Sequence, residues 1–287
     1  MTTAPFVTRF APSPTGYLHR GHAFSALTAF AAARQAGGRF LLRIENIDAT
    51  RCRPPFEAAI QEDLAWLGLD WETPVRRQSE HLDAYRAALT RLEARGLVYR
   101  CFKTRKEILD DIGRAPHGPV EAYVGAPLSP DEEARHLADG RPYAWRLSLA
   151  ASRDALGGFE GLTFVEDGRG AIQARPELAG DVVLARKDVG VAYHLAVVVD
   201  DALQDVSHVI RGEDLAEAAH IQRLLQALLD LPTPIYRHHR LLTDAQGRRY
   251  AKRDRAQTLR DLRAGGVSAA ALRAELGFPQ TLLSSRP

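Results

Sequence analysis

Near the N-terminus, the chain has two short runs of apolar residues, with a longer segment of helical spacing between them. The alternating residues 6–10 and the apolar run 39–44 each predict a strand. The alanine-rich amphipathic stretch 22–35 predicts a helix, and a Gly-Gly pair directly after it ends that helix. The resulting strand–helix–strand unit carries a Pro- and Gly-rich loop after its first strand, which is where open α/β sheets bind ligands.

Helical spacing of apolar residues recurs further along the chain. It predicts helices over residues 56–68, 80–95 and 215–228, and two shorter ones over 259–263 and 268–276. The stretch 71–79 is rich in polar residues and is predicted as a connection between helices.

Strand-like alternation marks the middle of the chain. Residues 143–147 and 162–167 are predicted as strands of a small antiparallel sheet. Residues 181–188 are predicted to return to the main sheet, and the apolar run 206–210 predicts another buried strand.

Composition narrows the class of protein. The 287 residues contain 38 Lys and Arg against 36 Asp and Glu, so the chain is no general polycation. Arginines crowd the region 237–263, which predicts either a surface facing phosphates or a solvated face. Two cysteines cannot form a disulfide framework, and no segment resembles a signal peptide or reaches about 18 apolar residues. We expect a cytoplasmic protein that does not associate with membranes.

The loop after the first strand contains the first candidate chemistry. His19 and His22 lie three positions apart at the predicted helix start, where free backbone N–H groups attract anions. Gly21 between them would let a base or ribose approach the backbone. These residues predict a phosphate site; taken alone, they also fit a plain helix start with two surface histidines.

The longer motif Ala11-Pro12-Ser13-Pro14-Thr15-Gly16, followed by His-x-Gly-His, resembles the first signature of class I aminoacyl-tRNA synthetases of the glutamate and glutamine branch. The second signature of that class is a Lys-Leu-Ser-Lys-Arg loop. Here Arg249-Tyr250-Ala251-Lys252-Arg253 occupies its place: Lys252 matches the lysine that contacts ATP phosphates, and Ala251 replaces the serine.

This resemblance covers roughly residues 5 to 275 and implies an α/β fold. Its parts would be a Rossmann-type parallel-sheet nucleotide-binding catalytic domain, an inserted α+β subdomain and a short helical C-terminal region. We expect the catalytic domain at 1–100 and 181–235, the insertion at 101–180, and the signature loop with its helices at 236–287. Residues 193–201 predict a strand by composition, whereas the resemblance implies a helix.

The resemblance also implies which residues bind substrates. The expected glutamate pocket consists of Arg9, Phe10, Ala11, Pro12, Ser13, Glu45, Tyr193 and Arg211, and the expected ATP site of His19, Gly21, His22 and Lys252. His19, His22 and Lys252 would be the catalytic residues. Two arginines suit a side-chain carboxylate, and an acid with a phenol suits the ammonium group. ATP, accompanied by Mg²⁺, would then convert L-glutamate to glutamyl-adenylate by positioning and charge stabilisation.

Some relatives carry a zinc site made by Cys-x-Cys and Tyr-x3-Cys. This chain has Cys101 and Tyr123, but Lys103 and Pro127 stand where the other two cysteines would be. One thiolate and one phenol cannot hold zinc tightly, and a nearby ammonium opposes a cation. We therefore expect no zinc, and an inserted subdomain held by apolar packing.

Length decides which branch member the chain resembles. Glutamyl-tRNA synthetases continue into a helical anticodon-binding domain, whereas this sequence stops just after the second signature. It is similar to short members that load glutamate onto the queuosine base in the anticodon of tRNA(Asp). We expect L-glutamate, ATP and queuosine-containing tRNA(Asp) as partners of a monomer. The alternatives are a truncated tRNA-charging enzyme, another nucleotidyltransferase with His-x-Gly-His, and a catalytically silent tRNA-binding paralogue.

Overall fold

The computed structural model describes residues 5–104, 106–108, 122–186, 190–242 and 257–279. The strands are β1 (Val7–Phe10), β2 (Arg39–Ile44), β3 (Glu72–Arg77), β4 (Val98–Cys101), β5 (Ala144–Leu147), β6 (Thr163–Glu166), β7 (Gly170–Gln173), β8 (Val183–Arg186), β9 (Gly190–Val191), β10 (His208–Gly212) and β11 (Ile235–His239). The helices are α1 (Arg20–Gln35), α2 (Pro54–Trp66), α3 (Leu82–Ala94), α4 (Pro130–Ala138), α5 (Leu149–Leu156), α6 (Tyr193–Leu203), α7 (Ala218–Leu228), α8 (Leu259–Ala264) and α9 (Ala269–Glu275). Single 3-10 turns occupy Gln78–Glu80, Pro176–Leu178 and Glu213–Leu215.

Two sheets with parallel pairing form the centre of the molecule. Strands β1, β2 and β3 pair in parallel, and in the other sheet β10 pairs in parallel with β11. The edges of the two sheets meet at Val7, whose carbonyl accepts from the Ser207 N–H at 3.0 Å and whose N–H donates to Ser207 Oγ at 2.8 Å. The parallel α/β architecture is therefore confirmed.

Helix α1 packs on β1, β2 and β10 and contributes to one of the two hydrophobic cores of the described chain. Its buried face consists mainly of alanines, with Leu27 and Phe30, and small side chains let a helix approach a sheet closely. The other core lies under α3, α6 and α7. No helix in the described ranges is long and apolar enough to cross a membrane.

Most predicted helices and strands are confirmed to within a few residues, but the stretch 71–79 is not. It was predicted as a connection, whereas β3 occupies Glu72–Arg77 at the edge of its sheet. Its first half is exposed and its second half only partly buried, so the sequence lacks the apolar signal of an interior strand.

The prediction that the two middle strands belong to one small antiparallel sheet is wrong. Strand β5 pairs antiparallel with β4 and β8, whereas β6 pairs with β7 and, through Glu166 opposite Tyr236, with β11 of the parallel sheet. Strand β8, expected in the main sheet, also lies in the antiparallel one. Alternation reveals that a segment is a strand, but its partner depends on long-range pairing that the period does not encode.

Residues 193–201 form a helix, so the strand predicted from their β-branched composition is wrong. Val197, Val198 and Val199 are all buried, and α6 packs against both α3 and α7. Burial on several sides outweighs the intrinsic preference of valine for strands.

Candidate active site

A cavity of about 710 Å³ lies where β1, β2 and β10 end and α1 begins. Every predicted substrate residue in the described part of the chain lines it: Arg9, Phe10, Ala11, Pro12, Ser13, His19, Gly21, His22, Glu45, Tyr193 and Arg211. Lys252, with its neighbours Arg249 and Ala251, lies outside the described residues. The fold thus brings together side chains that are up to two hundred positions apart in the sequence.

The two histidines cap the N-terminus of α1. The His19 N–H donates to His22 Nδ1 at 3.2 Å, and the Gly21 N–H donates to His19 Nδ1 at 3.1 Å. Because both Nδ1 atoms accept, a neutral ring in either position carries its proton on Nε2. The caps therefore turn two Nε2–H groups into the side-chain donors of a helix N-terminus that already favours anions.

Gly21 has a further reason to lack a side chain. A Cβ at this position would lie 3.0 Å from Cε1 and 3.2 Å from Nδ1 of the His19 ring. A larger residue would therefore push the ring out of its capping position.

Both flanks of the segment that carries Lys252 lie at this cavity. Leu242, just before that segment, lines the cavity wall. After it, Thr258 forms a β-bridge with His19, and the Leu259 N–H donates to the Leu18 carbonyl at 2.8 Å.

Arg211, at the end of β10, is 5% exposed and forms no ion pair with any carboxylate in the described ranges. Its Nη1 donates to Gln222 Oε1 at 2.9 Å and to the Tyr193 hydroxyl at 3.3 Å. Its Nη2 is buried without a hydrogen-bond partner. A buried guanidinium with an unused donor on a cavity wall is suited to bind an anion.

The third partner of Arg211 is His238 on β11, which sequence reasoning missed. Arg211 Nε donates to His238 Nε2 at 3.1 Å, and His238 Nδ1 lies 2.8 Å from Glu166 Oε2. Burial and the neighbouring Arg211 lower the pKa of His238. The His238-His239 pair was visible in the sequence, but nothing there connected it to β6.

Arg9, predicted to bind the substrate carboxylate, already has a carboxylate partner. Its Nε and Nη2 donate to the two oxygens of Asp201 at 3.0 and 3.2 Å. Arg43 Nη1 donates to the same Asp201 at 2.7 Å from a fully buried position. The Nε–Nη2 side of Arg9 is therefore used within the protein, which leaves Nη1 as the nitrogen without an assigned bond.

The charge network extends behind the cavity through Asp200. This buried carboxylate accepts from Arg76 Nε at 2.7 Å, from Gln78 Nε2 at 2.9 Å and from the Tyr85 hydroxyl at 2.9 Å. Asp200 and Asp201 are neighbours on α6: Asp201 pairs with Arg9 and Arg43, whereas Asp200 pairs with Arg76 and lies 3.7 Å from Arg43 Nε. Their acidic pair directly after a valine run, and Arg43 within an apolar strand, were the available sequence signals.

Glu45 follows β2 and is 8% exposed. Burial raises the pKa of its carboxyl group although Arg43 and Arg9 oppose the shift. Arg43 Nη2 contacts its Oε1 at 3.3 Å, so a fixed cation orients this carboxylate at the cavity edge. A smaller cavity of about 190 Å³ adjoins it and is also lined by Tyr193, Arg51 and Arg186.

Cys101 and Tyr123, the two residues that match the zinc site of relatives, lie close together in polar surroundings. Cys101 Sγ lies 4.0 Å from the Tyr123 hydroxyl, and the Arg146 guanidinium stacks 4.6 Å from the Tyr123 ring centre. Buried Asp181 accepts from the Tyr99 hydroxyl at 2.8 Å and from the Gly125 and Leu149 N–H groups at 2.9 Å each. Buried apolar residues do pack in this region, as expected, and a buried carboxylate in addition ties four segments together. No cluster of three or more His, Cys, Asp or Glu in the described ranges could hold a metal.

Comparison with known proteins matches this chain to one family over nearly its whole length. The model of the catalytic domain of class I tRNA synthetases (E and Q) matches residues 5–277. Among individual proteins, a Glutamyl-Q tRNA(Asp) synthetase of Rhodobacter capsulatus is 49% identical over 95% of this chain and all of its own length. A Glutamyl-Q tRNA(Asp) synthetase of Nocardia farcinica is 44% identical over 94% of this chain and 85% of its own length.

A solved structure agrees with the fold. The glutamate tRNA ligase of Elizabethkingia meningosepticum, in complex with its amino acid, superposes with a TM-score of 0.71 and 29% identity over 87% of this chain. The present chain spans 52% of that protein.

Proposed function

This chain belongs to the catalytic-domain family of class I tRNA synthetases for glutamate and glutamine, and from that premise we propose a specific reaction. The protein is a ligase that uses ATP to activate L-glutamate as glutamyl-adenylate, without needing tRNA for that step. It then transfers the glutamyl group to the queuosine base in the anticodon of tRNA(Asp). The names of relatives at 49% and 44% identity support this acceptor.

The observation that carries the proposal is the unpaired donor of Arg211. A buried guanidinium without a counter-ion costs free energy unless an anion fills the position. Arg211 Nη2 has no partner in the described chain, and Tyr193 and Glu45 line the same cavity. The side-chain carboxylate of glutamate would bind Arg211, with Arg9 contributing through Nη1.

Glu45 and Tyr193 would hold the α-ammonium group of glutamate. The Tyr193 hydroxyl accepts from Arg211 at 3.3 Å and would turn its remaining lone pair toward the ligand. A bound ammonium group would favour the ionised form of Glu45, whose burial otherwise raises its pKa. Phe10, Ala11, Pro12 and Ser13 would form the wall between the amino acid and the nucleotide.

ATP would lie with its phosphates at the start of α1. His19 and His22 would donate from Nε2, and Gly21 would keep the His19 ring in place. We assign Lys252 to the same phosphates, since the flanking Leu242 and Thr258 adjoin this end of the cavity. Mg²⁺ would accompany ATP, held mainly by the phosphates, because no described acidic cluster could hold it alone.

These residues would position the reactants and stabilise charge. The α-carboxylate oxygen of glutamate attacks the α-phosphorus of ATP, the bond to the bridging oxygen breaks, and pyrophosphate leaves with its electron pair. The donors at α1 stabilise the charge that builds on the phosphate oxygens. A queuosine hydroxyl then attacks the activated carbonyl carbon, the bond from that carbon to the AMP oxygen breaks, and AMP leaves with the electron pair while its phosphate takes up the hydroxyl proton.

Three further assignments belong to the same proposal. The arginines between 237 and 263 would face tRNA phosphates, where positive charge fixes the orientation of a nucleic acid without reading its sequence. The protein would work as a monomer in the cytoplasm. The four-part division at residues 100, 180 and 235 would describe its catalytic core, insertion and signature region.

The activation step is tested by ATP–pyrophosphate exchange without tRNA. We expect exchange that depends on glutamate and is lost in Lys252→Ala. If wild-type protein shows no exchange and Lys252→Ala binds ATP equally well, a silent tRNA-binding protein is the better description.

The acceptor is tested with labelled glutamate and tRNA(Asp). We expect the label to remain transferable after periodate destroys the tRNA 3′ end, and to be absent with tRNA that lacks queuosine. The reverse pattern would identify ordinary charging of the 3′ end instead.

A further inference from the structure

We propose that His238, held by Glu166, is a positioning residue that directs Arg211 toward the carboxylate of the amino-acid substrate. This inference rests on the proposed function, because it assigns Arg211 to the glutamate carboxylate. It adds two residues that the family resemblance did not supply.

Glu166 holds His238 at two points. Its Oε1 accepts from the His238 backbone N–H at 2.9 Å, and its Oε2 lies 2.8 Å from His238 Nδ1. Both side chains are at least nine-tenths buried, with exposures of 8% and 7%. Two contacts to one carboxylate fix the ring plane and leave the imidazole little freedom to rotate.

The contacts also fix the tautomer of His238. Arginine Nε is always a donor, so His238 Nε2 must accept the bond from Arg211 at 3.1 Å. The ring proton then lies on Nδ1 and is donated to Glu166. Arg211 therefore donates to His238, and His238 in turn donates to the Glu166 carboxylate.

Placing a neutral ring between Glu166 and Arg211 has an electrostatic consequence. A carboxylate in direct contact with Arg211 would neutralise it and compete with the ligand, as Asp201 already does for Arg9. The contacts of Arg211 are instead neutral: His238, Gln222, the Tyr193 hydroxyl, and the Tyr236 ring at 5.4 Å. Arg211 is thus held in direction while its charge remains available to a substrate anion.

Protonation of His238 would reverse this arrangement. A second ring proton on Nε2 would point at Arg211 Nε–H, break the bond between them and place two cations in contact. The charged or titratable groups that face the ring are Glu166 on β6, Arg211 on β10, and Tyr236 and His239 on its own strand. Affinity for glutamate should therefore decline in acid, below the ordinary range of histidine.

The test compares KM for glutamate with KM for ATP in the exchange reaction. His238→Phe keeps a flat ring but removes the acceptor, and we expect KM for glutamate to rise on the order of tenfold. KM for ATP should change by less than about twofold, since the phosphate end of the cavity lies on α1. His238→Gln, which can offer a side-chain oxygen to Arg211 Nε, should recover part of the loss.

A pH series separates positioning from a structural effect. In wild type, KM for glutamate should rise as the pH falls below the ordinary titration range of histidine, and His238→Gln should lack this rise because its amide does not titrate. Glu45 and the substrate carboxylates titrate equally in both proteins, so the difference between the two profiles reports His238. Glu166→Gln should weaken glutamate binding in the same direction, because an amide holds the ring less strongly.

His208→Phe is the matched control. This histidine lies on β10 of the same sheet, but its ring stacks on Phe6 at 4.0 Å and does not line the cavity. Its KM values should equal those of wild type. An unchanged KM for glutamate in His238→Phe, or equal rises in both KM values, would overturn the inference; if that variant fails to fold, the Gln variants decide by the same criteria.

Calorimetric titration with glutamate separates the two proposals. If wild type shows no exchange, the proposed function fails. Glutamate binding that is weaker in His238→Gln at low salt and neutral pH would still support the positioning role. Equal binding by both proteins would refute it.

Discussion

Two groups of buried charges lie beside the same cavity and differ in their balance. Behind β1 and β2, three arginines meet three carboxylates: Arg9, Arg43 and Arg76 with Glu45, Asp200 and Asp201. Around Arg211, the direct partners are all neutral, and one guanidinium nitrogen has none. The first group is balanced in charge within the protein, whereas Arg211 has no carboxylate partner in the described chain.

This difference helps to distinguish buried charges that hold the fold, here called scaffold charges, from buried charges that are suited to bind a ligand. Burial penalises every ion, so a paired cluster mainly fixes geometry, and an unpaired ion needs an anion from outside. A carboxyl group can avoid the penalty by taking up a proton, but arginine keeps its charge at any physiological pH. An unpaired buried arginine therefore indicates a binding site more strongly than an unpaired buried aspartate does.

The largest expected effect comes from breaking the balanced group. Arg43→Met would leave Asp200, Asp201 and Glu45 short of one cation in a fully buried position. We expect the free energy of unfolding to fall by about 3–5 kcal/mol, measured by urea denaturation. Arg39→Met is the control on the same strand: its pair with Glu72 is nearly half exposed, so the loss should stay below about 1 kcal/mol. Similar losses for both variants would contradict the distinction.

Arg211→Met should have the opposite profile. We expect kcat/KM for glutamate in pyrophosphate exchange to fall by about 100-fold, because the substrate carboxylate loses its charged partner. Stability should fall by less than in Arg43→Met, because the loss of hydrogen bonds to His238, Gln222 and Tyr193 is offset by the removal of a buried charge that lacks a counter-ion. Thermal unfolding of the purified variant measures its stability. A drop in Tm as large as that of Arg43→Met would show that Arg211 is a scaffold charge as well.

Asp63 tests whether a buried aspartate without hydrogen-bond partners behaves differently from a buried arginine without a counter-ion. It is fully buried on α2, both oxygens lack hydrogen-bond partners, and burial raises its pKa to about 6 although Arg263, at 3.9 Å, opposes the shift. Because the folded pKa exceeds the unfolded one, wild type gains stability as the pH falls from about 7 toward 4. Asp63→Asn should be more stable than wild type by about 1–2 kcal/mol at pH 7, and this advantage should disappear near pH 4.

Urea denaturation at both pH values measures that difference. Glu62→Gln, at the neighbouring and exposed position, should show no such pH-dependent gain. A constant gain from Asp63→Asn at both pH values would show that Asp63 does not take up the proton.

Two tyrosine hydroxyls give a smaller test of the same contrast. Tyr85 donates to Asp200 in the balanced group, and Tyr193 accepts from Arg211 on the cavity wall. Tyr85→Phe should lower stability by about 1 kcal/mol and leave KM for glutamate unchanged. Tyr193→Phe should raise KM for glutamate several-fold with little change in stability. If the two variants exchanged these effects, the two groups would not have separate roles.

The smallest expected effect concerns metal in the inserted region. Arg146 and Lys103 place positive charge beside Tyr123, and Asp181 already joins the surrounding segments. We predict that elemental analysis finds no stoichiometric zinc and that EDTA leaves the Tm unchanged. One tightly bound zinc per chain would refute this prediction.

Several features were predictable because their causes are local. The spacing of apolar residues predicted α1 and β2, and the loop after the first strand was predicted to carry a ligand site, in agreement with the cavity that its residues line. The helix over 193–201 was not predictable from composition, because the burial of its valines depends on α3 and α7. The pairing of β6 with β11 was also not predictable, because it depends on contacts between segments that are distant in the sequence.

By itself, the sequence determined the chemical types available: two histidines at the start of α1, a carboxylate after β2, and arginines at the ends of β1 and β10. Only the tertiary structure decided how the arginines differ. Asp201, 192 positions from Arg9, neutralises one of them, and Glu166 reaches the other only through His238. Charge pairing acts over a few ångströms in space and carries no periodic trace along the chain, so it becomes visible only once the strands are assembled.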